Sequence, residues 1–126
     1  MNRLLILSVL LLSLLVGNPA FSADFQKGVD AYDRRDYATA LRELKPVAEQ
    51  GHARAQYGLG FMYAKGDGVP QNYIRAHMWY NIAAMSGESK NASKNRDNIA
   101  KRMTSSQIET AQKLARECVK KNYKGC

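Results

Sequence analysis

One feature constrains this chain before any other: it repeats itself at a spacing of 36 residues. Shifted by that interval, Asp36-Tyr37 falls on Asn72-Tyr73, Ala40 on Ala76, Ala48 on Ala84 and Gly51 on Gly87. The helix cap, the small inward residues and the helix stop all keep register. Two short helices per unit cannot bury their own apolar faces, so units of this length stack on their neighbours in a helical solenoid. Small residues at Ala40, Ala76 and Ala84 let adjoining helices approach closely.

Between these markers the apolar residues recur at helical spacing. Phe25, Val29 and Tyr32 mark a first helix, and Asp36 caps a second whose stripe is Tyr37, Ala40, Leu41, Leu44, Val47 and Ala48, closed by Gly51. A third helix is predicted from Ala53 to Tyr63, then a loop over residues 65–70, in which Gly66 and Gly68 permit positive φ. Asn72 caps a fourth helix carrying Tyr73, Ala76, Trp79, Tyr80, Ala83 and Ala84 as far as Gly87. A fifth is expected over Ser89–Met103, with Ala92, Ile99, Ala100 and Met103 inward. The sixth opens on Thr104-Ser105-Ser106-Gln107, a capping box stapled by Met103 and Ile108, and buries Ala111, Leu114, Ala115, Cys118 and Val119. No stretch alternates with period two, so no sheet is expected.

The first 22 residues read as a secretory signal. Arg3 precedes an apolar run of 13 residues, Leu4–Val16, and small side chains at Ala20 and Ser22 suit cleavage after Ser22, with Ala23 the near alternative. Thirteen apolar residues are too short to span a bilayer, which takes about 20. The expectation is therefore a periplasmic or secreted chain, residues 23–126, without membrane insertion. Export also removes nucleic acid as the partner that a net charge of +8 would otherwise raise. Residues 23–89 balance eight basic against eight acidic side chains, whereas residues 90–126 hold ten basic and three acidic. That excess is either a solvated surface or a patch for an anionic partner. Cys118 and Cys126, an even count in an exported chain with seven residues between them, are expected to form one disulfide that pins Tyr123 and Lys124 against the open end of the solenoid, shielding the apolar edge of the last helix.

Chemistry-bearing constellations are missing from the sequence. No serine is followed by lysine at the third position, the only histidines, His52 and His77, lie on different helices, and two cysteines with two distant histidines give no metal-ligand spacing. Gly66-Asp67-Gly68 lacks the lysine of a phosphate loop and the carboxylates of a calcium loop. No cofactor, metal or catalytic residue is assigned. Tyr63, Tyr73, Trp79 and Tyr80 read as packing residues.

Ala55, Leu59, Gly60, Tyr63, Gly66, Gly68, Val69, Asn72, Ala76, Trp79, Tyr80, Ala83, Ala84 and Gly87 meet, at fixed spacing, the pattern of a Sel-1-like repeat, a tetratricopeptide-like helical unit. The segment that resembles it best is 51–87, with residues 24–50 resembling a shorter-turned unit and 88–121 degenerate closing helices. The resemblance implies an all-α, right-handed superhelix of about three helix pairs, serving as a non-enzymatic protein-interaction scaffold in the cell envelope. Exported members of the family also include immunity-type proteins that neutralise a toxin. A cysteine-rich subgroup, whose cysteine pairs share the spacing of Cys118 and Cys126, is associated with penicillin binding or β-lactamase-like activity. Here there is one such pair instead of one per repeat.

In such a superhelix the first helix of each unit builds the inner wall. With Ala55, Leu59 and Tyr63 inward, Arg54, Tyr57 and Phe61 share the opposite face of the third helix. Adding 36 leads to Lys90, Ser93 and Asp97, with Lys94 beside them. The partner-binding residues read from the sequence are thus Arg54, Tyr57, Phe61, Lys90, Lys94 and Asp97, facing another protein or an acidic peptide segment. The alternative for Tyr57 and Phe61 is packing against the neighbouring helix.

Overall fold

The computed structural model describes residues 24–126, and the segment 1–22, expected from the sequence to be a secretory signal, lies outside them. Six helices follow one another: α1 (Phe25–Asp33), α2 (Tyr37–Glu49), α3 (Ala53–Lys65), α4 (Tyr73–Met85), α5 (Lys90–Ala100) and α6 (Ser105–Lys120). Among the described residues there is no strand and no helix long and apolar enough to cross a membrane. The helix starts are fixed where the sequence placed caps. Asp36 accepts from the Thr39 amide at 3.3 Å, and Asn72 accepts from that of Arg75 at 3.0 Å. Thr104 and Gln107 form both arms of the capping box, at 3.1 and 2.9 Å.

Each of the first two helix pairs is closed by the same contact. Gly28 of α1 lies against Leu44 of α2, and Gly60 of α3 lies against the ring of Tyr80 of α4, each so tightly that an added Cβ would come within 2.7 and 2.6 Å. Leu44 and Tyr80 are 36 residues apart, Gly28 and Gly60 only 32, because the α1–α2 turn is shorter than the α3–α4 loop. That longer loop docks back on the first unit. Gly68, at φ +74°, sits so near Tyr37 that no side chain fits, and Asp67 accepts from the Tyr32 hydroxyl at 2.5 Å.

The third unit departs from this scheme. Arg96 and Arg116 follow Gly60 and Tyr80 by 36 residues, but the glycine contact is not repeated: Arg96 Nη1 donates to Asn81 Oδ1 of α4 at 3.0 Å, and Arg116 is exposed. Both closing helices pack on α4, which also holds α3. Ala115 and Cys118 of α6 thereby join the main core of Leu44, Leu59, Met78, Trp79 and Ile82, while Ile99 of α5 meets Ala76 and Tyr80 in a smaller cluster. Helix α5 is shorter than the spacing suggested: it ends at Ala100, and Lys101–Met103 turn so that Thr104 can take the extended backbone its cap requires.

Cys118 and Cys126 are bonded, with sulfurs 2.04 Å apart. The closed tail does not place Tyr123 and Lys124 at the open end of the solenoid. It crosses to the α2–α3 turn, where the Tyr123 ring faces Gly51 and Lys124 Nζ donates to the Glu49 carbonyl at 3.1 Å. The Arg75 guanidinium donates to the carbonyl of Cys126.

Two polar side chains are buried in this core. Gln56 donates from Nε2 to the Ala48 carbonyl at 3.1 Å, which also accepts from the Gly51 amide at 3.0 Å. His77 is 3% exposed and its Nδ1 has no partner. Burial holds its pKa below the ordinary 6.5, helped by Arg96 and opposed by Asp97. The unfolded chain therefore takes up a proton near pH 6.5 that the folded chain resists, and the stability present above that pH is lost as pH falls below it. Between pH 7.5 and 5.5 the urea midpoint of the wild type should fall further than that of His77→Leu. Parallel falls would contradict this account.

Candidate functional site

The first helices of the three units, α1, α3 and α5, line one groove of about 600 Å³. Phe25, Val29 and Tyr32 come from α1, Arg54, Tyr57, Gly58 and Phe61 from α3, and Lys90 and Asn91 from α5, with Glu88 and Ser89 just ahead of it. Gly58 gives the groove its depth. Lacking a side chain, it leaves Leu44 of α2 visible from the groove as part of the floor.

The walls are apolar and aromatic and the rim is basic. Phe61 meets Tyr32 edge-on at 5.9 Å, and the Phe25 ring stacks on His52 at 4.7 Å. Arg54 lies over Phe25, 5.1 Å from the ring centre, and Lys65 lies over Phe61 at 5.6 Å. His52 itself caps α3, its Nδ1 accepting from the Ala55 amide at 3.2 Å. Burial and the Asp67 carboxylate both push the Tyr32 pKa upward, so its hydroxyl stays protonated and donating.

Four of the six partner-binding residues read from the sequence, Arg54, Tyr57, Phe61 and Lys90, come together in this groove. Lys94 and Asp97 are exposed on α5 outside the groove, and the Asp97 carboxylate pairs with Arg96 at 3.0 Å. Tyr57 both packs against a neighbouring helix and lines the groove. Its ring packs 5.5 Å from that of Tyr80 and its hydroxyl accepts from Asn95 Nδ2 at 2.8 Å, while its outer edge lines the groove. The sequence reading did not assign Phe25, Val29 and Tyr32 to this wall. The signal was present, since a 32-residue shift carries Phe25 onto Tyr57 and Val29 onto Phe61.

Among the described residues, no group of three or more His, Cys, Asp or Glu side chains could hold a metal ion. What the groove offers is apolar surface between cations, a means of holding a ligand.

Residues 53–88 match the family model of the Sel1 repeat. Over 63 residues, half of this chain, the sequence is 35% identical to the exopolysaccharide production negative regulators of Rhizobium leguminosarum bv. viciae and Rhizobium meliloti (strain 1021). The chain spans 24% of the length of those relatives. No solved structure matches it. The match covers the α3–α4 pair, whose glycine contact recurs in α1–α2. Residues 53–88 are thus the segment of this chain that is similar to a Sel1 repeat.

Proposed function

We propose that this protein is an exported, non-enzymatic interaction module of the cell envelope, and that the α1–α3–α5 groove is where it holds its partner. The observation that carries this reading is the groove itself: α1 and α3 contribute apolar wall and α5 a polar edge, and Arg54 and Lys90, which line it, form no ion pair among the described residues. Aromatic and arginine side chains around a concave apolar floor are the usual anchors of protein recognition. The disulfide fits export, because such bonds persist in oxidising compartments. The matching relatives are named as negative regulators, a role compatible with acting by binding.

Arg54 and Lys90 are exposed, so reversing both charges leaves the helices intact. The mature chain should recover a specific protein from envelope extract, and the Arg54→Glu, Lys90→Glu variant should lose it. Recovery of the same protein by both forms, or of none by the wild type at several salt concentrations, would contradict the proposal.

A further inference from the structure

The groove does not end at Phe61. On the other side of that ring lies a second depression of about 430 Å³, between the end of α3, the α3–α4 loop and α5. Lys65, Gln71 and Tyr73 line one side of it, and Asn98 and Arg102 the other. Phe61 belongs to both depressions, so a chain lying in the first would cross this ring to reach the second.

Charge is distributed along this path in one sense. The residues lining the two depressions include the cations Arg54, Lys90, Lys65 and Arg102 against the single carboxylate of Glu88. Among the described residues the ion pairs are Arg96–Asp97 and Lys113–Glu117, so all four cations keep their charge uncompensated. Arg102 is also oriented. Its Nη1 donates to the Tyr73 hydroxyl at 3.4 Å, which leaves its other N–H groups for a ligand. Lys65 is held over Phe61, at the border between the two depressions.

We infer that Lys65 and Arg102 form a carboxylate subsite for an acidic peptide segment whose apolar side chain occupies the Gly58 depression on the other side of Phe61. This rests on the groove being the partner site and adds the partner's chemistry: an apolar anchor followed by Asp or Glu. A peptide is favoured over an acidic saccharide by continuity with the deeper, apolar depression, which a saccharide chain would not fill.

The test is selection of a phage-displayed library of random short peptides on the oxidised chain and on its Lys65→Ser, Arg102→Ser variant. Both side chains are exposed, and circular dichroism verifies that the variant is folded. Peptides enriched on the wild type should combine an aromatic or aliphatic residue with nearby acidic residues. Synthesised and titrated, they should bind the variant roughly three- to tenfold more weakly, the scale of two exposed ion pairs, with the difference shrinking as salt rises. Enriched peptides without acidic residues, or acidic peptides that bind both forms equally, would overturn the subsite and leave the groove as the partner site. Enrichment of no peptide would overturn both. Binding of oligogalacturonate without any peptide, lost in the variant, would overturn the peptide assignment in favour of a saccharide.

Discussion

Gly60→Ala should destabilise this protein by about 1–3 kcal/mol, while Gly58→Ala, two residues earlier on the same helix, should stabilise it by up to about 1 kcal/mol. Both substitutions gain the same helix propensity, since glycine inside a helix costs roughly 1 kcal/mol relative to alanine. What separates them is the neighbour. A Cβ on Gly60 would lie 2.6 and 2.8 Å from Cδ1 and Cε1 of the Tyr80 ring, and Tyr80 is only 2% exposed, with no open space to retreat into. A Cβ on Gly58 would meet Leu44 Cδ1 at 3.5 Å, an ordinary contact. Gly28→Ala, whose Cβ would press on Leu44 at 2.7 Å, should behave like the Gly60 substitution because it closes the equivalent contact in the first pair. Urea unfolding of the three variants measures this. Shifts of the same sign for Gly58 and Gly60 would show that propensity, and not the interlocking of the pairs, decides the outcome.

Cys126→Ser should leave the chain helical and cost about 2–3 kcal/mol, the unfolded-state entropy that closing so short a loop removes. For a domain of this size that is a fall in melting temperature of roughly 10 °C or more. The disulfide also holds the tail against distant parts of the core. Tyr123 packs on the main core at the α2–α3 turn, Lys124 bonds the Glu49 carbonyl, and Trp79 lies in a depression whose other wall includes Gly125 and Cys126. Reduction should accordingly increase binding of a hydrophobic dye. An unchanged melting temperature would mean the staple contributes nothing to stability, and unchanged dye binding would mean the tail keeps its place without it.

Much of this was readable from the residues, and the failures have identifiable causes. Helix starts were legible because Asp36, Asn72 and Thr104 carry cap side chains. The end of α5 was not, since no glycine follows Ala100 and Met103 continues the apolar spacing. The groove was half legible. Arg54, Tyr57 and Phe61 were placed on one face by helical periodicity, but Phe25, Val29 and Tyr32 were hidden because α1 and α3 match at a 32-residue shift while α2 and α4 match at 36. Helix α6 shows a limit of a different kind. Its apolar stripe predicts that it is buried, yet periodicity names no partner. At the 36-residue spacing Gly60 leads to Arg96 and Tyr80 to Arg116, so the sequence does not repeat the glycine–tyrosine contact in the third unit. The tail was misplaced for a similar reason: the bond fixes Cys126 near Cys118, while its direction depends on Glu49, Gly51 and Arg75, all distant in sequence.

The central claim is that the inner wall of this solenoid is the surface that holds another protein. Site-specific photo-crosslinking in the producing cell tests it most directly, with benzoylphenylalanine incorporated in place of Tyr57 or Phe61 in the groove, and in place of Lys113 or Arg116 on the exposed face of α6. The account predicts a discrete crosslinked protein from positions 57 and 61, and none from 113 or 116. Crosslinks from α6 alone, with the groove positions silent, would contradict it.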